Sequence, residues 1–385
     1  MTTIGQRAVE LHRKAAGKIS IQSRIPLNTL DDLSLAYTPG VAQVCLEVAA
    51  DHRLAYELTA KSHLIAVISD GSAVLGLGNI GPEGAMPVME GKAILFKELA
   101  GVDAFPLCLA TQDVREIVAI VKALVPTFGG INLEDISAPR CFEIERQLMD
   151  IGIPVFHDDQ HGTAVVVLAA VLNAAQVVDK TVPDLKVVIC GAGAGGIATA
   201  RMLLDFGVSD VVLVDSNGIV QRNRNDLNSE KRLMSAITNP RGLSGDLSHA
   251  MKDADVFIGL SVAGIVKPAD VASMAPGAIV FGMANPVPEI MPDEARDAGA
   301  AVVGTGRSDF PNQINNSLVF PGMFRGALDA RATKIIPEMK VAAAQALAAM
   351  VLEPNAEYIL PTSLNLQVPV NVGRAVADAW NRANS

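Results

Sequence analysis

Two pairs of adjacent carboxylates stand directly after short apolar runs in the sequence. One pair is Glu134 and Asp135, and the other is Asp158 and Asp159. Each apolar run is typical of a buried strand, and the carboxyl ends of parallel strands meet at one sheet edge, where open α/β sheets bind ligands. Four carboxylates gathered at that edge repel one another unless a cation lies among them. An all-oxygen ligand set predicts a hard divalent ion, Mg²⁺ or Mn²⁺.

Two other interpretations of these residues are weaker. A helix follows each acidic pair, and one pair alone would most simply cap that helix, but two pairs at consecutive strand ends favour the metal. A zinc site formed by His157 and His161 would need both rings on one helical face. Gly162 and the change from strand to helix argue against such a face, so His157 is expected to be a packed or hydrogen-bonding residue.

A glycine-rich turn indicates a dinucleotide site. An apolar strand leads into GxGxxG spacing, formed by Gly191, Gly193 and Gly196, and this spacing opens a helix. Asp215 follows about 20 residues later, at the end of the next apolar run, which completes the context that the motif needs. The glycines allow a tight turn and close approach of the pyrophosphate to the positive end of the helix.

The preference between NAD and NADP stays open at this stage. Asp215 would accept hydrogen bonds from the ribose hydroxyls of NAD and would repel the 2′-phosphate of NADP, so NAD is slightly favoured. Arg222 and Arg224 follow soon after and could reach such a phosphate.

Strand and helix patterns alternate along the chain, which predicts an α/β fold with two domains. Apolar runs at 64–71, 103–110, 129–135 and 153–159 predict one sheet. The pattern restarts near 185 and continues at 210–216, 254–261, 277–286 and 299–306. We expect a largely parallel sheet flanked by helices in each domain, the second of Rossmann type. The predicted division is 1–160 for the substrate and metal domain, and 161–385 for the NAD(P)-binding domain with a C-terminal helical tail.

Composition excludes several classes of protein. The formal net charge of −10 argues against a nucleic-acid or anionic-membrane partner. The N-terminus lacks the apolar core of a signal peptide, and the apolar stretches are too short or too interrupted to predict a membrane span. The four cysteines form no CxxC pair, which is typical of reduced thiols in a cytoplasmic protein.

Several stretches of this chain together resemble the malic enzymes, specifically the short bacterial NAD(P)-dependent form. They are LSLAYTPGVAQVC, VISDGSAVLGLGNIGPEGAMPVMEGKAILFK, INLEDISAPRCFEIER, PVFHDDQHGTA, GAGAGG, ANPVPEI and GRSDFPNQINNSLVFPG. The resemblance extends from about residue 15 to the C-terminus. It implies metal-dependent oxidative decarboxylation of L-malate to pyruvate and CO₂, with reduction of NAD or NADP, in a homodimer.

The resemblance also implies roles that spacing alone does not assign. Tyr37 matches the family's general acid, Lys92 its general base, and Asp158 an acidic residue that tunes this base. The implied metal ligands are Glu134, Asp135 and Asp159. Substrate contacts are implied for Asn285 and Asn316, and cofactor contacts for Thr163 and Asn285 beside the glycine turn and Asp215.

One departure from the family pattern concerns the substrate carboxylate. Larger members carry an arginine where this chain has Ala73. The bidentate hydrogen bonds from that arginine to the substrate carboxylate are therefore missing at this position. Alternatives to oxidative decarboxylation are conversion of malate to lactate, decarboxylation of oxaloacetate without net release of reduced cofactor, and a nucleotide-binding sensor without catalysis. An amino-acid dehydrogenase has a similar build but needs no metal, so the acidic pairs argue against it.

Overall fold

Two separate sheets organise residues 3–385, the part of the chain that the computed structural model describes. The first sheet has the order β2-β1-β3-β4 and is parallel throughout. Its strands are β1 (Leu64–Ser69), β2 (Asp103–Cys108), β3 (Gly130–Leu133) and β4 (Val155–His157). Because β3 and β4 are neighbours and both end at this edge, the two acidic pairs are brought together as expected.

Helices connect the strands of the first sheet and cover its faces. They are α5 (Gly81–Ala100), α6 (Val114–Leu124) and α7 (Arg140–Leu148). Four helices precede β1, namely α1 (Ile4–Ala15), α2 (Leu30–Ala36), α3 (Val41–Ala50) and α4 (Ala55–Leu58). No residue of these four N-terminal helices is buried.

The second sheet has the order β10-β9-β8-β5-β6-β7. Its parallel strands are β5 (Lys186–Cys190), β6 (Asp210–Asp215), β8 (Val256–Gly259), β9 (Ile279–Gly282) and β10 (Val302–Thr305). The short edge strand β7 (Gly218–Ile219) is antiparallel, and no apolar run in the sequence predicted it. The predicted fold class is otherwise confirmed, since all nine expected strands are present in two parallel sheets.

A buried helix, α8 (Thr163–Val177), follows one turn of π-helix at Asp158–Gly162 and leads into the second sheet. The remaining helices of this half are α9 (Ala194–Phe206), α10 (Ser229–Ile237), α11 (Leu247–Met251), α12 (Pro268–Ala272) and α13 (Pro292–Asp297). Three further helices end the chain: α14 (Phe320–Asp329), α15 (Pro337–Ala348) and α16 (Gln367–Ala383).

Helix α14 packs against the first sheet's own helices and strands. Phe320 and Phe324 lie 4.7 Å and 5.4 Å from the ring of Phe96 on α5, measured between ring centroids. Phe324 also meets Phe156 of β4 edge-on at 6.0 Å. These aromatic contacts join the C-terminal helices to the half of the molecule that carries the acidic pairs.

Two helical stretches are long and apolar enough to cross a membrane by length and composition, although the sequence patterns predicted no membrane span. In Asp158–Val177, 72 % of the tested window is buried, as in the core helix of a globular protein. The other stretch, Leu30–Ala50, has no buried residue, and a turn between α2 and α3 interrupts it. Its apolar side chains lack a covering surface within one chain.

Candidate active site

Three carboxylates form a tight cluster at the carboxyl edge of the first sheet. Glu134 and Asp135 follow β3, Asp159 follows β4, and each offers an oxygen within 4.8 Å of the others. The backbone N–H of Asp135 donates to Asp159 Oδ2 at 2.7 Å, which fixes the two strand ends to each other. Asp135 adopts a left-handed backbone with φ 54°, a conformation that aspartate tolerates better than most residues.

Lys92 is the one cation beside the cluster in the described residues, and its single charge does not compensate three carboxylates. Burial, and then repulsion from Asp159 and Glu134, raises the pKa of Asp135 to about 9. Burial likewise raises the pKa of Glu134 to about 7 and that of Asp159 to about 6, although Lys92 opposes both shifts. Asp135 Oδ2 is buried and has no hydrogen-bond partner among residues 3–385. The donor set, its burial and this unpaired oxygen fit a hard divalent cation.

Lys92 lies beside the cluster and connects it to Asp158. Its ammonium group pairs with Asp158 and lies 3.1 Å from Glu134 Oε1. The same group lies 4.2 Å from the centre of the Phe320 ring. Burial alone would lower the pKa of Lys92, but Asp158 and Glu134 raise it above its ordinary value.

Asp158 is fully buried, and its side chain makes two polar contacts with distant parts of the chain. Besides Lys92, Asn316 donates to Asp158 Oδ2 at 2.6 Å. Burial raises the pKa of Asp158 to about 7, while Lys92 opposes the shift. Gly162 makes room for this carboxylate, because a Cβ at that position would lie 1.8 Å from Asp158 Oδ1. The predicted residues Lys92, Asp158 and Asn316 therefore lie together.

The glycine turn has the shape of a dinucleotide cradle. Gly191 has φ 111°, and a Cβ there would lie 2.2 Å from the carbonyl oxygen of Leu260. A Cβ on Gly196 would lie 1.7 Å from the carbonyl oxygen of Gly191. Helix α9 can therefore pack this closely on the end of β5 only if residue 196 is glycine. Gly193 is the N-cap of α9 and faces open space. This open helix N-terminus fits a pyrophosphate.

The glycine turn touches the segment that carries the carboxylates. A Cβ on Gly195 would lie 3.1 Å from the carbonyl oxygen of Asp159 and 3.4 Å from Cγ2 of Thr163. Thr163 therefore lies against the cofactor turn, where the resemblance expects it. The segment from Asp159 to Thr163 therefore lies close against the dinucleotide turn.

Asp215 at the end of β6 has more partners than its position in the motif predicts. Arg224 donates to both of its carboxylate oxygens, at 2.8 Å and 3.1 Å, and Lys231 donates to Oδ2 at 2.6 Å. Arg224 also pairs with Asp226. Arg222 instead donates to the carbonyl oxygen of Ala236. The charge that was expected to repel a 2′-phosphate is thus compensated by two cations.

Asn285 lies in the loop that follows β9. Its carbonyl oxygen would be 2.5 Å from a Cβ on Gly76, so the loop after β9 rests on the loop after β1. Its side chain is exposed and forms no hydrogen bond to the described part of the chain. The structure thus places Asn285 beside the loop after β1, without a hydrogen bond to the other predicted residues.

Glu289 is a positioning residue that sequence reasoning missed. Its fully buried carboxylate accepts hydrogen bonds from the backbone N–H groups of Ser261 and Ala284, at 2.8 Å and 2.9 Å. These contacts join the loops after β8 and β9. A lone acidic residue in the apolar stretch PVPEI was the available signal.

A second buried network surrounds the loop that contains Ala73. Arg140 donates to Asp70 Oδ2 at 2.9 Å, and Ser72 donates to the other oxygen of Asp70. The Nε atom of Arg140 is buried without a partner among residues 3–385. Arg140 thus lies at this sheet edge but is already paired with Asp70.

Tyr37 is the predicted residue that one chain does not bring to the site. Its side chain is 67 % exposed and forms no hydrogen bond within the described residues. The flanking helices α2 and α3 pack chiefly on each other and on the helical turns at 52–58. Within one chain, Tyr37 therefore has no support from the elements that hold Lys92 and Asp158.

Comparisons with known proteins agree with this arrangement. Residues 16–149 match the family described as malic enzyme, N-terminal domain, and residues 160–380 match malic enzyme, NAD binding domain. An NAD-dependent malic enzyme from Geobacillus stearothermophilus is 56 % identical over 99 % of this chain and 80 % of its own length. A bifunctional malic/malolactic enzyme from Bacillus subtilis is 52 % identical over 98 % of this chain and 93 % of its own.

A solved structure shares the whole fold. The crystal structure of an NAD-dependent malic enzyme from Thermotoga maritima superposes with a TM-score of 0.94 at 50 % identity, covering 96 % of this chain and 98 % of that one. Relatives named as NADP-dependent malic enzymes also match nearly the full length of the chain. By these matches, the chain belongs to the malic enzyme family of NAD(P)-dependent decarboxylating malate dehydrogenases.

Proposed function

We propose that this chain converts L-malate to pyruvate and CO₂ by metal-dependent oxidative decarboxylation, with reduction of NAD or NADP. The observation that carries the proposal is the close approach of the segment Asp159–Thr163, which holds one ligand of the acidic cluster, to the dinucleotide turn, with Lys92 beside the cluster. A substrate held at this junction would meet a cation, a proton acceptor and a hydride acceptor together. This set of groups suits oxidation of a 2-hydroxy acid followed by loss of CO₂.

Glu134, Asp135 and Asp159 would hold the divalent cation. When bound, this ion supplies Lewis-acid polarisation of the malate 2-hydroxyl and then of the 2-oxo group. The cofactor supplies the hydride acceptor at the open end of α9. Both groups fit side chains that the chain already gathers, which supports the roles that the family resemblance implies.

Lys92 would accept the proton of the malate 2-hydroxyl group. A lysine acts as a base only when neutral, whereas Asp158 and Glu134 both hold it charged. A divalent cation held by Glu134 would compensate the charge of this carboxylate. Glu134 would then no longer raise the pKa of Lys92, and Asp158 alone would do so. Asp158 would then set the basicity of Lys92. Asn316 donates to the carboxylate of Asp158, so it would orient that carboxylate and would also contact the substrate.

Tyr37 would donate the proton that C3 of the pyruvate enolate requires after CO₂ has left. Because the Tyr37 side chain is exposed within one chain, we infer that a second copy supplies it in a homodimer. The apolar residues around it support this inference: Leu30, Leu33, Leu35 and Leu46 are all exposed. An exposed apolar surface of this kind is typical of an interface, and a twofold dimer would complete two sites at once.

We infer further that the protein works in the cytoplasm. All four cysteines are free thiols, which suits a reducing compartment.

The direct test of this function is absorbance of reduced nicotinamide with L-malate and Mn²⁺, in separate assays with NAD and NADP. We expect reduced cofactor and pyruvate in equal amounts, and no turnover in excess chelator. Accumulation of lactate without reduced cofactor would favour the malolactic alternative. Undiminished turnover by metal-stripped protein in chelator would contradict the proposal.

A further inference from the structure

Ser72 is a buried polar residue that has none of the roles given above. It lies in the turn after β1, and only 7 % of it is exposed. Its hydroxyl donates to Asp70 Oδ1 and accepts the backbone N–H of Ser137 at 2.9 Å. Ser137 belongs to the turn that follows β3 and begins with the acidic pair. One hydroxyl therefore joins the turn after β1 to the turn that carries Glu134 and Asp135.

The Ser72 hydroxyl has a fixed direction. The backbone N–H of Ser72 also donates to Asp70 Oδ1, at 3.0 Å. Asp70 is held from its other side, because Arg140 donates to Oδ2 at 2.9 Å. Since an ionised carboxylate only accepts, the Ser72 proton points at Asp70 and leaves an oxygen lone pair for the N–H of Ser137.

Asp135 has a backbone conformation that needs support from its surroundings. Its φ of 54° lies in the left-handed region, which costs conformational free energy for a residue with a side chain. Its N–H donates to Asp159 Oδ2 at 2.7 Å, and its carbonyl oxygen accepts the N–H of Ala73 at 3.0 Å. The bond from Ser137 to Ser72 fixes the chain two residues further along. Three hydrogen bonds thus hold the turn that starts at Asp135.

The conformation of this turn decides where the Asp135 carboxylate lies. In the observed conformation, Asp135, Glu134 and Asp159 offer oxygens within 4.8 Å of one another. Asp135 Oδ2 is buried and has no hydrogen-bond partner among residues 3–385. Relaxation of φ to negative values would rotate the side chain out of this arrangement. A hydrogen bond that keeps the turn in place therefore keeps the metal ligand in place.

Removal of the Ser72 hydroxyl should leave the loop between β1 and α5 folded. This loop is closed at its base by Gly71, whose carbonyl oxygen accepts the N–H groups of Ile80 and Gly81 at 3.1 Å and 3.2 Å. Gly71 has φ 68°, and a Cβ there would lie 2.1 Å from the carbonyl oxygen of Gly81. These backbone contacts do not involve the Ser72 side chain, so its role is separable from the fold of the loop.

We propose that Ser72 is a positioning residue for the divalent cation. Its hydroxyl holds the turn of Asp135 in the conformation that ligates the ion. Asp70 and Arg140 act through it, because they orient the hydroxyl. The inference rests on the metal site of the proposed function and extends that site to residues that are not ligands. Groups that orient metal ligands typically contribute about 10–100-fold to metal affinity.

The test is titration of the intact protein with Mn²⁺, followed by electron paramagnetic resonance, for wild type and Ser72→Ala. We expect Ser72→Ala to bind Mn²⁺ about tenfold or more weakly. Saturating Mn²⁺ should restore kcat to within about twofold of wild type, because no group that touches the substrate is altered. The affinity for 5′-AMP should not change, since the glycine turn is untouched. Ser137→Ala is the matched control, because it removes a hydroxyl from the same turn and keeps the backbone N–H that Ser72 binds.

Three outcomes would count against the inference. Equal Mn²⁺ affinity in folded Ser72→Ala and Ser137→Ala would overturn it and leave the metal site itself intact. Parallel losses of Mn²⁺ and 5′-AMP affinity in Ser72→Ala would show a general loss of structure and would overturn it as well. Failure of the wild-type protein to bind Mn²⁺ would overturn both this inference and the proposed function.

Ser72→Cys decides the question if Ser72→Ala does not fold. A thiol fills nearly the same space as the hydroxyl but is a weak hydrogen-bond donor and acceptor. We expect Ser72→Cys to show the same selective loss of Mn²⁺ affinity, and wild-type affinity in this variant would overturn the inference.

Discussion

The ammonium group of Lys92 and the carboxylate of Asp158 form an ion pair inside the protein, between α5 and the turn before α8. Asn316, from the loop that precedes α14, donates to the same oxygen of Asp158. Three segments that are far apart in sequence thus meet at one carboxylate. A change in charge at this point alters the basicity of Lys92, and with it the proton transfer that we assign to this residue.

Replacement of Lys92 should reduce both halves of the reaction. We expect Lys92→Ala to lower kcat by about 10²–10⁴-fold for malate oxidation and also for reduction of oxaloacetate, since each moves a proton on or off the 2-oxygen. Lys97→Ala is the matched control, because Lys97 is exposed on the same helix and pairs with Asp103. Partial rescue of Lys92→Ala by methylamine would support a missing base. Equal losses in Lys92→Ala and Lys97→Ala would contradict the assignment.

Complementation between two inactive variants tests whether active sites are shared. If Tyr37 serves the partner's site, each mixed dimer of a Lys92→Ala chain and a Tyr37→Phe chain has one intact site. Because about half of the dimers in a random mixture are mixed, the mixture should show about one quarter of wild-type activity. If Tyr37 and Lys92 act within one chain, every site in the mixture lacks one of them.

The two variants should be co-expressed or refolded together, with each variant alone as the baseline. Tyr358→Phe is the control for loss of a partly exposed tyrosine hydroxyl. Activity of the mixture no greater than that of the separate variants would reject the shared site.

The sequence predicted most of this arrangement because its determinants are local. Apolar runs fix the nine parallel strands, and Glu134, Asp135 and Asp159 follow directly from strand ends at one sheet edge. Contacts between distant segments could not be predicted in this way. The pairing of Lys231 with Asp215 requires α10 to pack beside β6, and the exposure of Tyr37 depends on what α2 and α3 pack against.

The stability of the metal-free protein should fall as pH rises. Unfolded carboxylates lose their protons near pH 4, whereas folded Asp159, Glu134 and Asp135 keep theirs to about pH 6, 7 and 9. The folded state therefore binds more protons between about pH 4 and pH 9, and its stability declines across this window. A divalent cation needs ionised ligands, so its stabilising effect should grow over the same range.

Thermal unfolding with and without Mg²⁺ checks this expectation. We expect saturating Mg²⁺ to raise Tm by roughly 5 °C or more at pH 8 and by much less at pH 5.5. Asp135→Asn should show little Mg²⁺ effect at either pH. A shift that is equal at both pH values would argue against carboxylate ligands with raised pKa values.

Cofactor choice should depend on Lys231. Arg224 and Lys231 compensate Asp215, so we expect both cofactors to be used, with NAD modestly preferred. Lys231→Ala leaves Asp215 less compensated and should lower kcat/KM for NADP about tenfold relative to NAD. Direct titration with 2′,5′-ADP and 5′-AMP separates binding from catalysis. Arg222→Ala is the control, because Arg222 does not contact Asp215. An unchanged ratio in Lys231→Ala would show that this lysine does not face the 2′ position.

The most direct measurement of the central claim is Mn²⁺ binding by electron paramagnetic resonance, with wild-type protein and Asp135→Asn. Glu134, Asp135 and Asp159 offer oxygens within 4.8 Å of one another, so the wild-type protein should bind one tight Mn²⁺ per chain. Asp135→Asn should bind it about 100-fold more weakly or worse while keeping its circular dichroism spectrum, since a charged ligand is lost. Asp113→Asn, which alters only the N-cap of α6, is the control. Equal Mn²⁺ affinity in wild-type and Asp135→Asn protein would contradict the metal site on which the proposed reaction depends.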